Sequence, residues 1–123
     1  MVIKMHKFVE DMAKVLKALG DPTRLKIIRL LASKMEIRLC VSDLSQKLGI
    51  SQPAVSQHIK ILKNVDILYP NREGMQVFYR INTDILTEIK KDFDNLFKMA
   101  FETYPNPEKF YKKNKKSDTE NNE

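Results

Sequence analysis

The sequence predicts a mostly α-helical fold of the α+β class. Apolar residues recur at helical spacing near both ends of the chain, a turn with glycine separates two helical stretches in the middle, and after Asn64 the period changes to that of strands. A chain of 123 residues is enough for one domain with a modest core. We expect this domain to cover residues 1–103 and a disordered, charged tail to cover residues 104–123.

Charge is spread unevenly along the chain. The formal net charge is +6, and residues 1–64 hold 12 Lys and Arg against five Asp and Glu. This balance favours a polyanionic partner, although a lysine-rich composition is also typical of thermophilic sources. One cysteine excludes an internal disulfide and suits a reducing compartment. Neither a signal peptide nor an apolar run near the ~20 residues of a membrane span is evident, so we expect a cytoplasmic protein without membrane contact.

Two helices are predicted in the first third of the chain. The first runs over residues 4–19 with a wide apolar stripe on one side. Gly20 suits the left-handed residue that ends a helix. Asp21 and Pro22 then start a second helix, because a carboxylate can cap it and proline is tolerated in its first turn. This helix is expected to end near Ser33.

A short strand and a small helix are predicted next. Residues 37–41 alternate weakly and are rich in β-favouring side chains, which indicates a strand. Ser42 is expected to cap a helix over residues 43–48, which Gly49 closes.

The following helix, predicted over residues 52–64, has two faces of contrasting chemistry. Ser51 can cap it, and at about 100° per residue its inner arc is apolar with His58 near the middle. The outer arc contains no carboxylate and consists of Gln52, Pro53, Ser56, Gln57, Lys60, Lys63 and Asn64. Amides and hydroxyls can pair with base edges and ammonium groups with phosphates, so we interpret this as a helix that enters a DNA major groove. An ordinary amphipathic surface helix is the alternative. The small helix over residues 43–48 and the helix over residues 52–64, joined by a short turn with Gly49, predict a helix-turn-helix.

A β-hairpin is predicted after this helix. Its strands cover residues 67–71 and 76–81, and residues 72–75 connect them with Gly74 at the turn. Pro70 restricts the first strand to an edge or an end. A hairpin in this position is a wing, and Arg72 near its tip is expected to reach a phosphate or a minor groove.

A long helix capped by Asn82 or Thr83 is predicted to run to about residue 103. The first and last helices are both strongly apolar on one side, and one small core cannot cover both. We therefore predict a homodimer whose interface these two helices form. The predicted interface residues are Phe8, Met12, Val15, Ile89, Phe93, Leu96 and Phe97.

Three stretches together resemble the ArsR/SmtB family of winged helix-turn-helix transcriptional regulators, over roughly residues 8–101. They are Ala-Leu-Gly-Asp-Pro-Thr-Arg-Leu-Lys-Ile-Ile at 18–28, the helix-turn-helix at 39–44 and 48–62, and Arg-Glu-Gly-Met-Gln-Val-Phe-Tyr-Arg-Ile at 72–81. The resemblance implies a homodimer that represses from an inverted-repeat operator in double-stranded DNA and is released by an effector, often a metal ion. It also implies that residues of the helix-turn-helix contact DNA. Lys63 and Arg72 are expected to contact phosphates because they are positively charged. The implied contacts are Ser51, Gln52, Ser56, Gln57 and Lys60.

Two metal sites of this family are incomplete here. In the first, a cysteine triplet at the small helix, only Cys40 remains, because Ser42 and Ser45 carry hydroxyls that bind soft metals poorly. In the second, along the last helix, only Asp84 fits. The remaining positions of that second site hold Leu86, Phe97 and Ala100. We therefore predict no metal and no cofactor, and the effector stays open.

Two residues of the family patterns carry alternative interpretations. Cys40 is expected to be a small buried strand residue, with a redox-sensing thiol as the alternative. His58 matches a common family residue, but its place on the inner arc favours a satisfied, partly buried histidine.

An enzyme is not expected, because no nucleophile–base pattern or phosphate loop occurs. The alternative function is a winged-helix module that docks a protein or an RNA. The acid-free outer arc argues against a protein partner, and its lack of aromatic residues argues against RNA. A DNA-binding protein that activates or binds constitutively is also left open.

Overall fold

A computed structural model of the chain describes residues 2–33 and 38–104, with side chains from Phe8 onward. Within this part the elements follow the predicted order, apart from one strand. They are α1 (Val2–Leu19), α2 (Pro22–Ser33), α3 (Val41–Leu48), α4 (Gln52–Asn64), β1 (Leu68–Glu73), β2 (Gln76–Ile81) and α5 (Thr83–Thr103). The chain divides into two compact units, Met1–Ile89 and Lys90–Glu123. No described helix is long and apolar enough to cross a lipid bilayer.

The junction between α1 and α2 lies at the predicted residues, but the reason for a glycine at position 20 differs from the predicted one. The Asp21 carboxylate accepts the backbone N–H of Arg24 at 3.0 Å, which caps α2. Gly20 does not adopt the left-handed conformation, which among glycines only Gly49 and Gly74 adopt. A Cβ at Gly20 would lie 3.1 Å from the carbonyl oxygen of Leu16, so the close approach of the backbone favours glycine here.

The predicted strand over residues 37–41 is wrong in the part that the structure describes. Residues 38–40 are irregular, and α3 begins at Val41 with Cys40 as its N-cap, two positions before the predicted cap Ser42. The reason is the carboxylate of Asp43, which accepts the backbone N–H of Cys40 at 3.0 Å and so stabilises an earlier helix start. One backbone hydrogen bond links Leu39 to β2: the carbonyl of Leu39 accepts the N–H of Tyr79 at 3.4 Å.

The hairpin forms as predicted, with a tighter turn. The antiparallel register from Leu68 opposite Ile81 to Glu73 opposite Gln76 leaves Gly74 and Met75 as a two-residue turn. Gly74 has φ +60°, a conformation that such turns require and glycine adopts freely. Arg72 therefore lies within β1, and the expectation that it belongs to the turn was wrong.

One apolar core holds the first unit together and fixes α4. Val55, Ile59 and Leu62 on the inner arc of α4 are 0–2% exposed. The same cluster contains Ile27, Leu31, Leu39, Leu44, Ile67 and Leu68. Burial of each such side chain contributes about 1.5–3 kcal/mol, so rotating α4 out of this core is costly. Ile61, at 39% exposed, is the member of the predicted apolar arc that stays in solvent.

The last helix begins at Thr83 and is capped by Asn82, whose side-chain oxygen accepts the N–H of Ile85 at 3.4 Å. In the first unit, Ile85 packs against the core. In the second unit, the rings of Phe93 and Phe97 lie 5.5 Å apart between centroids on one side of the helix. Residues 105–123 of the predicted tail lie outside the described residues, so the predicted domain boundary stays a prediction.

Candidate nucleic-acid interface

The turn that precedes α4 holds the helix start in one position. Gly49 is left-handed with φ +67°, and its N–H donates to the carbonyl of Ser45 at 2.9 Å. The hydroxyl of Ser45 donates to the carbonyl of Ile50. Ser51 then caps α4, because its Oγ accepts the N–H of Ala54 at 3.2 Å. The helix start predicted from the sequence is confirmed.

All side chains predicted to contact DNA are exposed, and the six at α4 lie at its cap or on the face opposite the buried one. They are Ser51, Gln52, Ser56, Gln57, Lys60 and Lys63, with Arg72 on the hairpin. No carboxylate occurs between residues 51 and 65, so the exposed face of α4 offers donors, amide acceptors and positive charge. This surface suits a polyanion that also carries hydrogen-bonding edges.

A link between the hairpin and the chain before α3 was not predicted from the sequence. Arg38 forms an ion pair with Glu73, the last residue of β1, and its guanidinium lies 5.9 Å from the ring centroid of Phe78. Since Glu73 borders the turn, Arg38 neutralises the carboxylate nearest the tip of the hairpin. The two residues are 35 positions apart, and no local pattern connects them.

The inner arc of α4 carries one polar contact, at His58. Its Nδ1 lies 3.2 Å from a terminal nitrogen of Arg24 and 3.9 Å from the carboxylate of Asp21, and 24% of its side chain is exposed. The interpretation of His58 as a satisfied, partly buried histidine agrees with this geometry. No local pattern in the sequence indicates Arg24 as its partner.

Cys40 is half-buried at the start of α3, and its assignment to a strand was wrong. Its Sγ lies 3.1 Å from both the hydroxyl of Ser42 and the carboxylate of Asp43. Among the described residues, no group of three or more His, Cys, Asp and Glu side chains is arranged to hold a metal ion. Asp84, the remaining carboxylate of the second family metal site, is exposed.

The cap of α3 leads to a prediction about pH. Hydrogen bonds from the backbone N–H and the thiol of Cys40 lower the pKa of Asp43 below its ordinary value of 3.8. A depressed pKa means that the carboxylate stabilises the fold above the ordinary pKa, and that this contribution is lost as the pH falls through the folded value. We expect Asp43→Asn to lower the free energy of unfolding by about 1 kcal/mol near neutral pH, the usual effect of losing a helix cap. At about pH 3 the difference between the variant and the wild type should be smaller.

Urea denaturation of the wild type and Asp43→Asn at both pH values measures this effect. Asp94→Asn, at an exposed position of α5, is the matched control and should change little at either pH. A difference between wild type and Asp43→Asn that is the same at both pH values would show that the charge of Asp43 does not stabilise the cap.

The predicted dimer residues differ in how much surface they offer. In the first unit, Met12 is 7% exposed and is thus already covered within one chain, whereas Phe8, Val15 and Ile89 are half-buried. In the second unit, Phe93 is half-buried, and Leu96 and Phe97 are 42% and 48% exposed. The last helix has no buried residue. Leu96 and Phe97 in its second half are therefore exposed in the single chain.

Known proteins with similar sequences are transcriptional regulators. A model of the bacterial regulatory protein arsR family matches residues 21–69, which run from α2 into β1. An uncharacterised HTH-type transcriptional regulator of Methanocaldococcus jannaschii is 41% identical over 92 residues, which cover 75% of this chain and 100% of that protein. The transcriptional repressor SdpR of Bacillus subtilis is 35% identical over 77 residues, covering 63% of this chain and 82% of the repressor.

Solved structures show the same architecture. Reduced HlyU from Vibrio cholerae superposes with a TM-score of 0.59 at 31% identity, covering 71% of this chain and 90% of HlyU. A homodimeric winged helix-turn-helix DNA-binding domain from Mycobacterium bovis superposes with a TM-score of 0.60 at 27% identity, covering 69% of this chain and 77% of that domain. The winged helix-turn-helix predicted from the sequence is confirmed.

Proposed function

Since this chain belongs to the arsR family of bacterial regulatory proteins and is a DNA-binding transcriptional regulator, we propose that it represses transcription as a homodimer on an inverted-repeat operator. The observation that carries the proposal is the exposed, carboxylate-free face of α4, held on a buried apolar core. Repression is favoured because similar proteins, SdpR among them, are named repressors.

The exposed side chains divide into two roles by their chemistry. Gln52 and Gln57 present an acceptor and a donor each, which can pair bidentately with adenine or adapt to other base edges, at ~1–3 kcal/mol of discrimination per good pair. Ser51 and Ser56 add short hydroxyl contacts. Three cations neutralise phosphates and set the salt dependence of binding: Lys60, Lys63 and Arg72. Arg72 acts from the wing, where the ion pair of Arg38 with Glu73 removes a repulsive charge near the tip.

The dimer brings two copies of α4 to one duplex. Reading successive major grooves on one side of B-DNA needs recognition helices ~34–36 Å apart, which a two-fold axis between protomers can provide. The half-buried and exposed apolar residues of α1 and α5 supply the interface, and the similar domain from Mycobacterium bovis is homodimeric.

The effector does not act through a thiolate metal site of the usual kind. In this chain the second and third thiols of that site are replaced by Ser42 and Ser45, and Ser45 already donates to the carbonyl of Ile50. We propose a cytoplasmic, non-enzymatic regulator that needs no metal or cofactor to bind its operator.

Selection of random duplex DNA by the purified protein, without added metal and with sequencing of the bound fraction, tests the proposal. We expect enrichment of an inverted repeat whose half-sites are centred about one helical turn apart. Salt-dependent binding without an enriched motif would contradict sequence-specific repression. Absence of DNA binding at low salt, together with capture of a structured RNA or a protein, would instead support the docking alternative.

A further inference from the structure

The guanidinium of Arg24 joins three helices at the base of the recognition helix. Its Nε donates to the carbonyl of Ala18, and one terminal nitrogen lies 3.5 Å from the carbonyl of Lys17, both in the last turn of α1. Its other terminal nitrogen lies 3.2 Å from Nδ1 of His58 in α4. One side chain of α2 thus contacts the end of α1 and the inner arc of α4.

These contacts satisfy groups that would otherwise have no partner in the fold. The last carbonyls of a helix have no intrahelical donor, and a cation near them also interacts favourably with the helix dipole. The rest of the inner arc of α4 packs through Val55, Ile59 and Leu62, whose contacts are apolar and not directional. The hydrogen bond at His58 has a defined direction and can therefore fix how α4 is rotated.

In the part of the chain that the structure describes, the charges beside His58 come from α2 and from the residue that caps it. They are the guanidinium of Arg24 and the carboxylate of Asp21, 3.9 Å from Nδ1. Along α4, the positions three and four residues from His58 hold Ala54, Val55, Ile61 and Leu62, which are uncharged. The end of α1 reaches this cluster through peptide carbonyls bound to the same guanidinium.

Arginine keeps its charge and can only donate, so the contact with Nδ1 requires an imidazole whose Nδ1 carries a lone pair. Protonation converts Nδ1 into a donor beside a cation, and the carboxylate of Asp21, 3.9 Å away, can accept from it. His58 would then lose its hydrogen bond with Arg24 and form one with Asp21. This change of partner would shift α4 beside the exposed Gln57.

We propose that Arg24 is a positioning residue for DNA recognition, which anchors α4 to the end of α1 through the neutral imidazole of His58. The inference rests on the proposed function, in which α4 reads the operator. It assigns a role in base recognition to a residue on the inner side of the helix-turn-helix, away from the face that meets DNA.

The test measures the ratio of affinities for the selected operator and a scrambled duplex, for the full chain at about pH 8 and about pH 5.5. We expect the ratio of the wild type to fall at the lower pH and that of His58→Gln to stay constant, since an amide does not gain a proton between these two pH values. Arg24→Lys should lower the ratio about tenfold at the higher pH, because one ammonium cannot keep all three contacts.

Two control variants test whether the change in the affinity ratio is specific to Arg24 and His58. Arg29→Lys changes an exposed arginine of the same helix, and His6→Gln removes the other histidine of the sequence; neither should alter the ratio or its pH dependence. An added positive charge on its own would raise the affinity for both duplexes at low pH and would leave their ratio unchanged.

A pH profile of His58→Gln equal to that of the wild type would overturn the inference, as would Arg24→Lys binding with the wild-type ratio. If Arg24→Lys does not fold, the profile of His58→Gln decides. The proposed function fails separately and earlier, if the wild type does not distinguish the operator from the scrambled duplex at either pH.

Discussion

Replacing both Gln52 and Gln57 by alanine is expected to lower the preference for the operator over random duplex on the order of a hundredfold. Each glutamine contributes ~1–3 kcal/mol if it pairs bidentately with a base edge, and the two contributions combine. Both side chains are exposed, so their truncation leaves the buried face of α4 intact. Binding to random duplex should keep its affinity and its dependence on salt, because phosphate contacts do not involve these amides.

Substitution of the lysines on the exposed face of α4 should weaken binding without changing the preference for the operator. Lys60→Ala and Lys63→Ala should weaken binding to every duplex and reduce the slope of log affinity against log salt by about one each. Gln46→Ala is the matched control, because Gln46 is also exposed but lies on α3. If the double glutamine variant keeps the wild-type preference in electrophoretic mobility shifts, α4 does not read bases.

The sequence predicts α4 well because several local signals agree there. Gly49 readily adopts the left-handed conformation that ends α3, Ser51 offers a cap, and Pro53 fits only the first turn. The start of α3 shows the opposite case. The β-favouring composition around Cys40 predicts a strand, whereas the hydrogen bonds of Asp43 to Cys40 favour a helix start, and the second effect prevails.

The two long-range contacts at α4 and at the hairpin are not predictable from local patterns. Arg24 contacts His58 across 34 positions, and Arg38 contacts Glu73 across 35. Each of these residues has an ordinary local explanation as a charged or polar member of its helix, strand or loop. Only the packing of α2 against α4, and of the chain before α3 against the hairpin, brings the partners together.

Leu96→Glu is expected to convert the proposed dimer into a monomer and to lower operator affinity by at least about a hundredfold. The side chain of Leu96 is 42% exposed in the single chain, so a carboxylate there stays hydrated and the fold of one protomer is preserved. In the dimer the same carboxylate would be buried without a partner, which is strongly unfavourable. A monomer binds one half-site and loses the effective concentration that the second provides.

Sedimentation equilibrium with operator titration measures both effects on the same samples. Lys91→Glu is the matched control, because it places the same carboxylate at an exposed position on the opposite side of α5 and should keep the dimer. A Leu96→Glu protein that sediments at the dimer mass would place the interface elsewhere than on this face. A monomer that still binds the operator with wild-type affinity would contradict the requirement for two half-sites, even if the interface were correct.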